Sequence, residues 1–266
     1  MIVAHKVSRF VLAFGCWMGL HLSSASAGAF LLEPGQWQVI STIRNSVSAA
    51  RYDDKGVLSL EKRYGKTQAT SLIEYGLTAD LTLLMSPAVR FLRAQGPPDL
   101  RGVGIGSMDF GARWKIYELE RQIVSFQALT RLPARSDPLF GSENRASTEL
   151  RLGYGRNDLL FRGRDAFLDA GLVWAKRDEP WRDEIRADLT FGWQRWPGRL
   201  VLIQWNYSAY PGAVGESRMP RQFKIETSTV TDIGEGWALQ MGTFMSHGGV
   251  ATRFERGNII GLWRKF

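Results

Sequence analysis

The chain lacks the residues on which many enzymes and metalloproteins rely. Its 266 residues include a single cysteine, Cys16, and three histidines, of which only His247 lies beyond residue 27. One cysteine forms no intramolecular disulfide, and an isolated histidine supplies no cluster of metal ligands. We therefore predict neither a metal site nor a cofactor.

Long apolar runs are also missing, with one short exception at the start. The apolar stretch 10–22 follows two cations and precedes a small-x-small tripeptide at 25–27. It is shorter than the roughly 20 residues that a membrane-spanning helix needs, and the tripeptide is typical of a signal-peptide cleavage site. This predicts a cleaved signal peptide at 1–27, export through the inner membrane, and one mature domain at 28–266.

No segment concentrates charge of one sign. The net charge is +8 at neutral pH, and removal of Lys6 and Arg9 with the signal peptide leaves about +6. The cations are spread among acidic residues, which argues against nucleic-acid binding. They suit the acidic head groups of outer-membrane lipid, and loop acids such as Asp53 suit lipopolysaccharide through bridging divalent cations. We therefore predict outer-membrane lipid and lipopolysaccharide, and no nucleic acid, as partners.

The sequence is rich in strict alternation of apolar and polar side chains. Every second side chain is apolar in 183–195, a Pro-Gly pair at 197–198 reverses the chain, and the alternation resumes in 199–209. About a dozen such segments follow one another from Gln36 to Phe266. This period is typical of strands with one apolar and one polar face. Such strands after a secretion signal predict an all-β, antiparallel up-and-down barrel that spans the outer membrane of a Gram-negative bacterium.

We predict twelve strands, because a single-chain bacterial barrel has both termini on the periplasmic side and therefore an even strand count. A thirteenth alternating segment, 57–64, is short and charged, so we assign it to a loop hairpin. The connection 157–165 is long for a periplasmic turn, and the sequence does not explain it. The predicted strands are 36–48, 66–76, 80–92, 105–117, 120–133, 146–156, 166–177, 183–195, 199–210, 221–231, 236–247 and 255–266.

The predicted connections alternate between short and long, as a barrel requires. The predicted periplasmic turns include 77–80, 118–119, 196–198 and 234–236. The predicted extracellular loops are 49–65, 93–104, 134–145, 178–182 and 211–220. Aromatic residues cluster at the strand ends next to the short turns, which predicts an aromatic girdle at one membrane interface. The girdle residues are Tyr75, Tyr117, Tyr154, Trp193, Trp196 and Trp237.

Three segments resemble a family of small bacterial outer-membrane barrels. The turn IEYGLTADLTL at 73–83 is similar to the EYGLTDRLTL turn of that family, and GIGSMDFGARW at 104–114 resembles its GxGDxxxGxRY segment. The stretch 28–36 resembles the GAW…PGGQ opening of the XagA-like group, which is related to the phenol-degradation meta-pathway outer-membrane proteins. The sequence departs from the pattern at Ser107, where an acidic residue is expected. The resemblance implies a fold and a location more than an activity.

The chain ends on an aromatic residue, Phe266. In a barrel of this kind we expect the barrel-assembly machinery to recognise the last strand through Phe266. Arg264 stands where such strands usually carry tyrosine.

If the apolar faces point to lipid, the polar faces line the lumen. This inward set holds nearly equal numbers of acids and bases. They would form either ion pairs that fill the interior or opposed charged walls that select solutes. The predicted lumen-lining binding residues are Glu74, Asp109, Arg113, Lys115, Glu149, Arg151, Asp169, Arg186, Asp188, Lys224 and Glu226.

Twelve strands leave more room than eight and much less than the sixteen or more of open porins. We therefore predict a narrow, porin-like channel for a small solute, which the resemblance implies is aromatic, hydrophobic or saccharide-derived. A non-conducting structural barrel linked to cell-surface polysaccharide is an alternative. A second alternative is a lipid hydrolase, which needs His247 beside a serine such as Ser208 or Ser228. Ser246 is excluded because adjacent strand residues point to opposite faces. We predict no enzyme and no catalytic residue.

Overall fold

In the computed structural model, twelve antiparallel strands form one closed barrel. The structure describes residues 28–94, 100–133, 146–177, 183–211 and 219–266. The strands are β1 (Trp37–Tyr52), β2 (Leu58–Thr78), β3 (Leu81–Ala94), β4 (Leu100–Leu119), β5 (Gln122–Leu132), β6 (Ser147–Phe161), β7 (Arg164–Arg177), β8 (Glu184–Trp196), β9 (Arg199–Ala209), β10 (Arg221–Gly234), β11 (Trp237–Val250) and β12 (Arg253–Lys265). Each strand pairs with its neighbour in sequence, and β1 pairs with β12. The predicted twelve-stranded barrel is confirmed.

The described part of the chain has no helix that is long and apolar enough to cross a membrane.

One end of the barrel carries five two-residue connections, and we name it the turn end. These connections are 79–80, 120–121, 162–163, 197–198 and 235–236. Four of them lie at or next to the predicted short turns. The opposite end, the loop end, carries the connections between β1 and β2, β3 and β4, β5 and β6, β7 and β8, β9 and β10, and β11 and β12.

The expectation that 157–165 is a long connection is wrong. Strand β6 continues to Phe161, and β7 begins at Arg164. Arg162 and Gly163 form the turn with φ of 52° and 71°. Two successive positive φ values are typical of the type I′ turn that joins two antiparallel strands. The sequence did not reveal this turn because arginine is not a residue that favours positive φ.

The segment 57–64 is not a separate hairpin either. All of it except Val57 belongs to β2, whose first residue Leu58 pairs with Tyr52 of β1. The predicted loop 49–65 therefore shrinks to a short connection in which Asp53 Oδ1 accepts hydrogen bonds from the N–H groups of Lys55 and Val57, both at 2.8 Å. Most of the predicted loop 93–104 is likewise strand. The predicted loops 134–145 and 178–182 lie outside the described residues.

The two faces of the barrel wall differ as the alternation predicts, with one exception. Large apolar side chains such as Phe110, Trp114 and Leu172 are exposed on the outer face. The inner face is polar toward the loop end, but it carries buried apolar side chains toward the turn end. This apolar cluster consists of Ile40, Phe167, Leu200, Leu202, Val230, Ala238 and Trp263, with Phe30 and Leu72 packed against it.

The apolar cluster fills the turn-end half of the lumen like the core of a water-soluble protein. Each large side chain that it buries contributes about 1.5–3 kcal/mol relative to exposure. Leu200 and Leu202 lie on the inward face of β9, opposite to the outward Val201 and Ile203. Both faces of β9 are therefore apolar at this end, where the inner wall of other strands also carries a few buried polar side chains such as Gln38, Glu74 and Thr82.

Candidate functional site

The segment before β1, residues 28–36, enters the barrel: residues 28–32 are buried or half-buried in the lumen, and residues 33–36 are exposed at its turn end. Ala29 is fully buried, and its N–H donates to Asp169 Oδ2 at 2.8 Å. Arg113 Nη1 donates to the carbonyl oxygen of Phe30 at 2.6 Å. Farther toward the turn end, the N–H of Gly35 donates to the carbonyl of Gly76 at 2.8 Å. The segment thus runs from the turn end into the lumen, with the predicted mature N-terminus deepest.

Glycines on the inner face of β6 make room for this lumen segment. A Cβ atom at Gly155 would lie 2.7 Å from Phe30 Cζ, and one at Gly153 would lie 3.2 Å from Ala29 Cβ. The Phe30 ring meets the Phe167 ring edge-on, with centroids 6.3 Å apart. The lumen segment and the apolar cluster therefore occupy the turn-end half of the lumen together.

A cavity of about 510 Å³ lies in the lumen on the loop-end side of this segment. Gly28 lines it, together with amides, hydroxyls and charged groups of β1, β3–β6 and β8–β10. Seven of the eleven predicted lumen residues line the cavity. They are Arg113, Glu149, Arg151, Arg186, Asp188, Lys224 and Glu226.

The charges in the cavity pair across intervening strands. Arg151 of β6 binds Asp188 of β8, with Nη1–Oδ1 and Nη2–Oδ2 both at 2.6 Å. Between these strands, β7 presents Gly171, where a Cβ atom would lie 2.2 Å from Arg151 Nη2. A glycine is required at this position because the guanidinium crosses directly over it.

Three further ion pairs surround the cavity in the same way. Arg186 of β8 binds Glu149 of β6. Lys224 Nζ of β10 lies 2.7 Å from Glu255 Oε2 of β12. Sequence reasoning missed two partners, Glu255 and Arg44, the second of which binds Glu226. Arg44 was nevertheless detectable, because it lies on the polar face of a predicted strand.

The four remaining predicted residues do not line the cavity. Glu74 Oε1 lies 3.1 Å from Arg113 Nη2, and both side chains are buried. Asp169 holds the lumen segment and lies 3.4 Å from Arg151. Asp109 binds Arg131 in a two-bond pair, with 2.8 Å for each bond. Lys115 lies near the turn end, where its ammonium is 2.8 Å from both Asp80 and Glu118.

Each of the eleven predicted residues therefore has an opposite charge as a direct partner. This arrangement is a network of local ion pairs and not a pair of opposed acidic and basic walls. A charged solute in the cavity would compete with one member of an ion pair for its partner, and the displaced side chain would remain in the lumen.

The structure does not assemble a serine–histidine site at His247. His247 is exposed on the outer face, where its ring lies 6.1 Å from the Phe223 ring. Ser246 points into the lumen and accepts a hydrogen bond from Gln222 Nε2 at 2.9 Å. Ser208 and Ser228 also face the lumen. The described residues contain no group of three or more metal-binding side chains.

The predicted girdle residues lie on the turn-end half of the barrel. Trp196, Trp237 and Tyr117 are exposed near the two-residue turns, and the Tyr75 ring packs on Trp37 with centroids 4.5 Å apart. Tyr154 lies farther from its turn, and its hydroxyl binds Gln122 Oε1 at 3.0 Å. Their role at a membrane interface stays a prediction.

Similar folds occur among outer-membrane proteins. The chain is similar to a COG4313 outer membrane channel from Pseudomonas putida F1, with 19% identity, a TM-score of 0.70, and coverage of 88% of this chain and 97% of that one. It is similar to the porin NanC, with 8% identity, a TM-score of 0.54, and coverage of 85% of this chain and 100% of that one. It is also similar to the transport unit of the autotransporter AIDA-I from Escherichia coli, with 11% identity, a TM-score of 0.52, and coverage of 87% of this chain and 90% of that one. No protein-family model and no curated protein matches the chain.

Proposed function

We propose that this chain is a bacterial outer-membrane channel for a small polar solute, with its turn end on the periplasmic side. The observation that carries the proposal is the charged lumen cavity, which ends at the lumen segment 28–36. The cavity of about 510 Å³ lies in the size range of small-molecule sites. The lumen segment fills the passage below it in this conformation, so conduction requires that this segment leaves or shifts.

The lining of the cavity favours a hydroxylated, charged solute over an aromatic one. Arginines such as Arg186 stand beside the amides of Gln127, Gln204, Asn206 and Gln222. Guanidinium and amide donors suit the carboxylates and hydroxyls of saccharide-derived acids, whereas a hydrophobic solute offers these donors no acceptor. The XagA-like resemblance, which we retain as a prediction, is compatible with this solute class.

Planar-bilayer recording on refolded protein tests the channel. We expect small or rare conductance steps for the unchanged mature chain and a conductance at least several-fold larger after deletion of residues 28–35. The variant Phe30→Ala should lie between the two, because it removes the ring that anchors the segment against Phe167. The matched control is Phe110→Ala, which removes an exposed ring from the outer face and should conduct like the unchanged chain.

If the variant that lacks residues 28–35 folds but does not conduct, the channel proposal is overturned. That result would favour the second candidate, a structural envelope barrel, which the filled turn-end lumen and the complete ion pairing around the cavity also support. For a hydrolase, the geometry at His247 offers no support. The expected effect of His247→Ala on any lipid-hydrolase activity of the protein is therefore none.

A further inference from the structure

The outer face of the barrel carries an apolar groove of about 610 Å³ that crosses β5 to β10. Two small residues form its floor. Ala170 stands between Tyr154 and Leu189 in the cross-strand register, and Ala187 stands in the next row, between Leu172 and Tyr207. The large outward side chains around these alanines form the walls, to which Trp205 and Phe223 also belong.

A cluster of arginines and aromatic rings lies at the turn end of the same strands. The Arg195 guanidinium is 4.8 Å from the Trp193 ring centroid and 4.9 Å from the Trp196 ring centroid. The Phe161 ring packs edge-on against Trp193 at 5.0 Å, and Arg162 lies over Phe161 at 5.5 Å. We name these five residues the arginine–aromatic cluster.

The two arginines of this cluster differ from the arginines of the lumen. Among the described residues, neither Arg162 nor Arg195 forms an ion pair, whereas lumen arginines such as Arg113, Arg151 and Arg186 each bind an acid. A guanidinium held over aromatic rings keeps its outward N–H donors for another acceptor. Guanidinium geometry suits phosphate, and lipid phosphate lies at the depth where aromatic girdles lie.

The distance between the cluster and the groove, measured along the membrane normal, is close to half the thickness of the apolar layer of a membrane. Arg195 and Leu189, at the edge of the groove, are six residues apart on β8, which is about 20 Å along a strand. With a strand tilt of about 40°, this corresponds to a depth of roughly 15 Å, close to half of the roughly 25 Å apolar band of an outer-membrane barrel. Between them on the same face of β8 lie Trp193 and Phe191, which give a continuous apolar path.

We propose that one phospholipid of the turn-end leaflet binds here, with its phosphate on Arg195 and Arg162 and one acyl chain in the groove over Ala170 and Ala187. The cluster supplies the charge complementarity, and the groove supplies an apolar recess for the acyl chain. This site lies on the outside of the wall, so it neither requires nor affects the solute channel.

Native mass spectrometry tests the site. The folded mature protein is reconstituted in nanodiscs of equal parts phosphatidylethanolamine and phosphatidylglycerol, released into mild detergent, and scored for retained lipid. We expect one retained phospholipid per barrel. Arg162→Gln with Arg195→Gln should lower the lipid-bound fraction at least tenfold, because loss of even one charged hydrogen bond to the phosphate is expected to cost that factor, about 1.4 kcal/mol.

Filling the groove tests the acyl-chain half of the proposal. Ala187→Phe, or Ala170→Phe if the first variant folds poorly, should lower retention as strongly while leaving both arginines in place. The matched controls are Arg264→Gln and Met241→Phe. Arg264 also lies over two rings, Trp237 and Phe266, but on β12, and Met241 is an exposed outward residue of β11.

Three results would overturn the proposal. They are unchanged retention in the folded groove variants, an equal loss in the control variants, and retention of lipopolysaccharide in place of phospholipid when both are offered. Folding of each variant is checked by its far-ultraviolet circular dichroism before lipid is counted.

Discussion

At the residue scale, the inner wall depends on glycines that let long side chains pass. Gly153 and Gly155 accommodate Ala29 and Phe30, and Gly171 lies under the guanidinium of Arg151. These positions combine a strand residue of low intrinsic β propensity with a close approach of another group, which is the usual reason for a glycine inside a strand. The lumen contacts therefore depend as much on missing side chains as on the charged ones.

Gly171→Val should destabilise the barrel by about 2–4 kcal/mol. The valine Cβ would displace the Arg151 guanidinium and leave Asp188 and the buried Asp169 without their common partner. The free energy of unfolding in urea, measured on refolded protein in lipid vesicles, checks this. Gly248→Val is the control, since a Cβ atom there meets no atom within 4 Å. Equal stability of the two variants would contradict the crossing geometry.

Glu226→Gln should shift ion selectivity of the conducting form toward anions. The substitution removes the acid that neutralises Arg44 at the cavity wall and so adds one positive charge to the lumen. The reversal potential in a KCl gradient, recorded on the variant that lacks residues 28–35, measures the shift. Asp232→Asn removes an acid near the turn outside the cavity, and we expect no comparable change. A shift toward cations would contradict the proposal.

At the element scale, four connections place a residue with a side chain at positive φ, namely Glu120, Arg162, Glu235 and Ala251, and in two of them a glycine with positive φ follows. Arg162 precedes Gly163, and Glu235, with φ of 52°, precedes Gly236, with φ of 76°. The right-handed twist of paired strands selects these type I′ turns, so the strands determine the turn geometry even where the first residue does not favour it. The unfavourable φ of Arg162 and Glu235 has a local cost in free energy, and strand pairing in the rest of the barrel outweighs it.

Glu235→Asn should stabilise the protein by about 0.5–1 kcal/mol. Asparagine tolerates the left-handed region better than glutamate, and Asn-Gly is the preferred pair for this turn. The backbone carbonyl of residue 235, which accepts a hydrogen bond from Arg264, is unchanged. The midpoint of urea unfolding reports the gain. Ala79→Asn is the control, because Ala79 lies in a two-residue turn without positive φ. A gain in both variants would show that asparagine acts by another route.

The strands also show which features of the fold the alternation of apolar and polar residues can predict. It predicted the order of the strands along the chain and, together with the even strand count, their number, because one buried or lipid-facing side per strand leaves a period of two. It failed at Leu200 and Leu202, where both faces of the strand are apolar and a period of two no longer distinguishes lumen from exterior. It also failed for the lumen segment 28–36, which has no repeating pattern and whose place depends on glycines on a distant strand.

At the scale of the whole molecule, the lumen of the barrel consists of two parts that differ in polarity. The turn-end interior holds the apolar cluster and the lumen segment, and the loop-end interior holds the charged cavity. Of the candidate site, the sequence revealed the charged residues of the wall but not the depth at which each one lies. Depth depends on strand register and on the closure between β1 and β12, which no local pattern encodes. Lys115 near the turn end and Arg186 at the cavity illustrate the difference.

The closure between β1 and β12 leads to a last prediction about the end of the chain. Phe266 completes the seam through its backbone, since its N–H donates to the carbonyl of Trp37 at 3.0 Å, while its ring is exposed. Phe266→Ala keeps the backbone bond, so the variant should refold in detergent with a free energy of unfolding within about 0.5 kcal/mol of the unchanged chain.

In cells the same variant should reach the outer membrane at a several-fold lower level, because we expect the assembly machinery to bind the exposed ring. Tyr117→Ala removes another exposed turn-end ring outside the last strand and should accumulate normally. If both variants accumulate equally, Phe266 is a girdle residue and not an assembly signal.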